Sequence, residues 1–111
     1  MRTVKLDELG WGKMDGVIPV VAQEASTLEV LTLAYVNREA LQKTINTGYA
    51  HYYRRSHGKM MMKGVTSGNT QKIVDILTDC DNDSLVYLVD QKGPACHLGE
   101  RTCFHKQVKL E

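Results

Sequence analysis

The stretch Leu28-Glu29-Val30-Leu31-Thr32-Leu33-Ala34-Tyr35-Val36-Asn37-Arg38-Glu39-Ala40-Leu41-Gln42-Lys43-Thr44-Ile45-Asn46-Thr47-Gly48 decides the fold class. Its first part, 28–36, is rich in β-branched and apolar residues and reads as a buried strand. At Asn37 the period changes. Asn37 is a good N-cap, Arg38 to Lys43 are strong helix formers, and Gly48 sits where a terminating glycine belongs. Ala40, Leu41, Thr44 and Ile45 fall on one face, so the helix is expected to pack on a sheet. Upstream, Val17–Ala22 reads as a strand, with Pro19 suggesting an edge position or a bulge. Downstream the strand signals are Tyr49–Arg55, Lys59–Lys63, Ile73–Thr78, Leu85–Val89 and Phe104–Leu110, separated by turn residues at Gly58, 67–69, 81–83 and 93–94. One good helix among many short strands, without regular alternation, predicts an α+β domain on a mainly antiparallel sheet.

With 111 residues, 42% of them hydrophobic and 24% charged, the chain suits a single domain over 1–111. A net charge of +1 gives no field to attract nucleic acid or an anionic membrane surface. No apolar run approaches the ~20 residues of a membrane span, and residues 1–8 lack the apolar core of a signal peptide. The expectation is a cytoplasmic protein whose three cysteines are thiols.

Asp79-Cys80-Asp81-Asn82-Asp83 places three carboxylates at alternate positions, with no base between Lys72 and Lys92. In an extended segment they would share one side and could converge on a hard cation, with Cys80 facing away; an acidic, solvated turn explains the same residues. An EF-hand is excluded, because Ser84 replaces the glycine of its sharp turn and Leu85–Val89 is a strand sequence.

Cys96-His97-Leu98-Gly99-Glu100-Arg101-Thr102-Cys103 carries two thiols and an imidazole in a glycine-bearing loop. Cys80 makes a third thiol, and the set suits zinc. No C-x₂-C occurs, so this is no zinc finger. Three cysteines would leave an open position, with His97 either a base or the fourth ligand. Alternatively, the cysteines are simply small buried residues.

The run from His51 to Lys63 carries basic residues and no acid, and leads into Gly64-Val65-Thr66-Ser67-Gly68-Asn69. Arginine forks and small-residue backbone N–H groups suit phosphate oxygens. With a near-neutral domain, a small phosphorylated ligand fits better than a polyanion.

Together, residues 30–41, Lys63–Asn69, Asp79–Asp83 and Gly93–Phe104 resemble phosphoribosyl-AMP cyclohydrolase of histidine biosynthesis, in that family's order and spacing over roughly residues 15–104. The resemblance implies a catalytic zinc held by Cys80, Cys96 and Cys103, assembled between the subunits of an intertwined homodimer with one cysteine from the partner. It also implies magnesium on Asp79, Asp81 and Asp83, and His97 as general base. The reaction implied is hydrolytic opening of the adenine ring of phosphoribosyl-AMP at N1–C6. Arg55, Ser56, Lys63, Ser67, Gly68 and Asn69 are the expected substrate-binding residues. The family usually reads Ser-Arg-Ser-Arg at 54–57 and Trp at 61, where this chain has Arg54-Arg55-Ser56-His57 and Met61. The chain also stops short of the pyrophosphohydrolase domain fused to this enzyme in some organisms. Two other readings compete: a non-catalytic zinc-stabilised interaction module closed by His97, and a thiol redox protein, the latter weakened by the absence of C-x-x-C.

Overall fold

A computed structural model describes residues 1–110. A 3-10 turn at Leu6–Glu8 precedes β1 (Val17–Glu24), β2 (Val30–Asn37), α1 (Arg38–Thr47), β3 (His51–Arg54), β4 (Lys59–Met62), β5 (Gln71–Thr78) and β6 (Leu85–Gln91). The helix ends as its residues dictate. The Asn37 side chain accepts a hydrogen bond from Ala40 N at 2.8 Å, and Gly48 adopts the left-handed φ of 78° that stops the helix.

Four strands form a sheet in the order β2-β1-β6-β5, and β3 and β4 form a separate antiparallel hairpin. The outer pairs β1–β2 and β5–β6 are antiparallel, whereas the central β1–β6 pair is parallel. The class is α+β and mainly antiparallel, as expected. Ala50 N bonds Gln71 O and Ile73 N bonds Gly48 O, joining the start of the hairpin to the start of β5. The helix packs on β2, β3 and β4.

Four expectations are corrected. β2 is an edge strand, with only Leu31 and Val36 buried and Leu33 52% exposed. Pro19 lies in a strand paired on both sides, but β6 pairing begins only at Val20, so its missing N–H falls where β1 has β2 alone beside it. The β1–β2 irregularity is instead at Ala22/Gln23. Ile45 is exposed; Ala40, Leu41 and Thr44 are the buried face. Residues 104–110 form no strand.

Ile18, Val20, Leu31, Val36, Tyr87 and Val89 fill the core. Two buried polar chains run through it. Tyr87 Oη donates to Thr44 Oγ1 at 3.2 Å, which in turn donates to Ala40 O at 2.8 Å. Tyr52 Oη donates to Gln71 Oε1 at 2.5 Å, and Gln71 Nε2 donates to Gln91 Oε1 at 2.8 Å. Burial pushes the Tyr52 phenol well above its ordinary pKa, so it remains a donor. Among the described residues no buried side-chain polar atom lacks a partner, as a close-packed interior requires.

Gly64 has φ 80°, and a Cβ there would overlap the backbone of Asn69 and Thr70, 2.6 Å from the Thr70 nitrogen. Gly64→Ala is therefore expected to destabilise by about 2–4 kcal/mol, through strain and overlap together. Gly16→Ala, at φ 83° with open space around it, should show the backbone part alone, about 1–2 kcal/mol. Chemical denaturation of the two variants checks the difference.

Candidate functional site

The loop that follows β6 carries Cys96 and Cys103. It is folded by its own backbone: Ala95 N bonds Arg101 O, Cys96 N bonds Glu100 O, and Gly99 N bonds Cys96 O. Cys103 N bonds Leu31 O and Thr102 Oγ1 donates to Val30 O at 2.7 Å, which lays the end of the loop along β2. Cys96 is buried and Cys103 exposed, and all three cysteines are free thiols. His97 is exposed and makes no hydrogen bond to the described residues. His105, to which sequence reasoning assigned nothing, places Nε2 3.8 Å from Cys96 Sγ.

Cys80 is elsewhere. It lies exposed in the turn between β5 and β6. β6 runs between that turn and the Cys96 loop, roughly 20 Å of strand. β2, to which Cys103 is hydrogen-bonded, and β5, which leads to Cys80, are opposite edges of the sheet. Among the described residues of one chain the three thiols do not form a cluster. As donors they suit zinc, since they are unpaired soft ligands. The fold of one chain nevertheless leaves Cys80 apart from the other two.

Asp79, Asp81 and Asp83 do come together, with one carboxylate oxygen from each within 4.8 Å of the others. The route differs from the extended segment expected. Asn82 N bonds Asp79 O and Asn82 sits at φ 59°, so a turn makes the convergence. The Asp79 carboxylate accepts from Ser84 Oγ at 2.6 Å and from Asp83 N at 3.1 Å. These bonds, the Ser84 hydroxyl first, lower its pKa to about 2, so it stays anionic at neutral pH. A base reaches the acids from far along the chain. Lys13 Nζ lies 3.1 Å from Asp83 Oδ2, and that contact raises the lysine's pKa. A divalent ion binding here competes with this ammonium.

The basic residues divide into two places. Arg55 and Ser56 are exposed at the tip of the β3–β4 hairpin, where the Arg55 guanidinium carbon stands 3.8 Å from the centroid of the Tyr35 ring. Ser56 Oγ is 3.0 Å from His57 Nδ1, and Arg54 Nη1 donates to Met61 Sδ at 3.6 Å. Lys63 and Asn69 lie against the cysteine loop instead. Lys63 Nζ donates to Ala95 O at 2.6 Å, and Gly93 is glycine because a Cβ would run into the Asn69 side chain. Ser67 and Gly68 are exposed, with Ser67 Oγ accepting from Asn69 N at 3.2 Å.

Glu24 and Arg101 escaped the sequence reading. Glu24 is 5% exposed and accepts Arg101 Nη2 at 2.5 Å and Gln91 N at 3.2 Å. Burial raises the Glu24 carboxyl, and the Gln91 N–H and Arg101 bonds more than offset this, holding it below its ordinary pKa. A signal existed: Val20, Ala22 and Glu24 share one face of β1 by alternation.

A family profile described as phosphoribosyl-AMP cyclohydrolase matches residues 32–105. A protein of Nitrosopumilus maritimus bearing that name is 52% identical over 94% of this chain and 96% of its own length. A Cenarchaeum symbiosum protein of the same name is 54% identical over the same shares. The histidine biosynthesis bifunctional protein HisIE of Thermus thermophilus is 56% identical over 97% of this chain, which spans 48% of that protein. A profile covering most of the chain, and relatives above half identity along nearly all of it, place the chain in the phosphoribosyl-AMP cyclohydrolase family, enzymes of histidine biosynthesis.

Proposed function

We propose that this chain is a cytoplasmic, zinc-dependent hydrolase that opens the N1–C6 bond of 1-(5-phosphoribosyl)-AMP, giving the phosphoribosylformimino aminoimidazole carboxamide ribotide. Its zinc site is shared between two copies, with Cys96 and Cys103 from one chain and Cys80 from the other. The observation that carries this reading is the separation of free thiols by the length of β6. Donors of the right chemistry that one chain cannot converge fit a site completed by a second. The two sheet edges support it: β2 exposes Leu33 and β5 exposes Val74 at 61%, apolar side chains on edge strands that a partner would cover.

When bound, zinc supplies Lewis acidity that brings a water pKa towards ~7 and so provides a nucleophile at neutral pH. The rest is the work of side chains. His97, exposed beside Cys96, takes the proton of the attacking water and returns it to N1 as the N1–C6 bond breaks. The exocyclic amine stays as the carboxamide nitrogen, so the reaction is ring opening and not deamination. Arg55, stacked on Tyr35, keeps the edge of its guanidinium for a phosphate. Lys63 spends one N–H on Ala95 O and retains two for an anion. Ser56, Ser67, Gly68 and Asn69 offer hydroxyl, amide and backbone donors around these cations. Asp79, Asp81 and Asp83 would hold magnesium, which keeps several waters and takes phosphate oxygens readily.

The test is a spectrophotometric ring-opening assay on phosphoribosyl-AMP with zinc-loaded and chelator-stripped protein. Turnover is expected with the loaded protein, lost on stripping and recovered on adding zinc. Equal turnover in both would sink zinc dependence. Zinc bound tightly with no turnover would leave the interaction-module reading in its place.

A further inference from the structure

We propose that Arg101 is a positioning residue that clamps the Cys96–Cys103 loop through the buried carboxylate of Glu24, and so sets how firmly the two thiols hold their metal. The proposal rests on the reading that Cys96 and Cys103 are zinc ligands.

The Gly93–Cys103 segment contains no helix or strand, so its shape depends on a few specific bonds. Arg101 makes three of the bonds that leave the loop, to Glu24, Glu29 and Gln91. Its Nη2 donates to Glu24 Oε1 at 2.5 Å at the end of β1, and its Nε lies 3.4 Å from Glu29 Oε1. Its Nη1 donates to Gln91 O at 3.3 Å and Gly93 O at 3.4 Å, the last residue of β6 and the entry to the loop. Its backbone carbonyl receives Ala95 N. One side chain therefore ties the end of β1, the exit of β6 and both arms of the loop.

Glu24 makes this a clamp and not a surface contact. The carboxylate is buried and engaged on both oxygens, Oε1 also by Gln91 N and Oε2 by Ser26 Oγ at 3.3 Å. A buried carboxylate that loses its cation is left uncompensated, so the loop cannot swing away without strong opposition. Only a planar fork can serve these acceptors at once; a lysine ammonium reaches one or two of them. Arg101 is two residues from Cys103, and Ala95, whose N–H it receives, precedes Cys96.

The experiment compares wild type, Arg101→Lys, Arg101→Ala and Glu24→Gln by zinc release to a chromophoric chelator and by thiol labelling of the metal-free proteins. In wild type Cys96, buried within its own chain, should react slowly. In the Arg101 variants Cys96 should react fast, and zinc release should quicken by roughly 10–100-fold. Glu24→Gln should shift both in the same direction by less. With zinc saturating, KM for phosphoribosyl-AMP should stay within about twofold of wild type, a split that general loss of fold would not give. Should Arg101→Ala fail to fold, Arg101→Lys and Glu24→Gln decide the matter alone. Slow Cys96 labelling and unchanged zinc release in those variants would overturn the clamp. Wild-type protein that binds no zinc would instead overturn the ligand reading beneath it.

Discussion

Cys96→Ala is expected to yield a folded protein that has lost zinc and turnover together, whereas His97→Ala is expected to keep its zinc and lose ~10²–10⁴ in kcat. The two residues are neighbours, yet their settings differ. Cys96 is buried inside the backbone-bonded loop, and removing it takes away one of three soft donors, leaving too few to hold the ion. His97 stands in solvent without a hydrogen bond to the described residues. Truncating such a side chain changes stability by at most about 0.5 kcal/mol, so a lower rate reports chemistry. Cys103→Ala is the control for packing, because its thiol is exposed and its removal opens no cavity. It should match Cys96→Ala in metal loss. Metal content by atomic absorption and initial rates of ring opening read both quantities. Full turnover without His97 would end its role as base, and stoichiometric zinc in Cys96→Ala would end the ligand assignment.

What could be read in the chain and what could not follows the reach of each interaction. The helix ends were legible because Asn37 and Gly48 act on atoms within four residues. The acidic trio was legible because its members are near neighbours, although a turn and not an extended strand brings them together. The burial of β2 was misjudged because burial depends on strand order, and an edge strand has the same residue types as an inner one until the order is known. The parallel β1–β6 pairing joins segments sixty residues apart with no turn between them to announce it. Lys13 and Asp83, or Arg101 and Glu24, meet across 70 and 77 residues respectively, and no local pattern encodes such a meeting. The thiols are the instructive case. Their chemistry was legible as a set, but the fold of one chain keeps Cys80 and Cys96 at opposite ends of β6, which is why the proposed site draws on a second copy.

That inference leads to the second large effect: Cys80→Ala and Cys96→Ala, each without activity alone, are expected to restore activity when mixed. If every site draws Cys80 from one chain and Cys96 with Cys103 from the other, a dimer of one variant of each kind contains one site lacking two thiols and one lacking none. The intact site takes Cys80 from the Cys96→Ala chain and the loop thiols from the Cys80→Ala chain. Random reassortment makes half of the dimers mixed, and each mixed dimer has one good site in two, so roughly a quarter of wild-type activity and zinc should return in a two-fold symmetric assembly. Co-refolding equal amounts of the two proteins performs the exchange, and native mass spectrometry of differently tagged chains shows that mixed dimers have formed. A site built within one chain gives no recovery however completely the chains exchange. Mixed dimers without activity would therefore remove the shared site, and the edge strands with their exposed Leu33 and Val74 would need another explanation. Recovery above one half would also count against it, since even a wholly mixed population holds only one complete site per dimer.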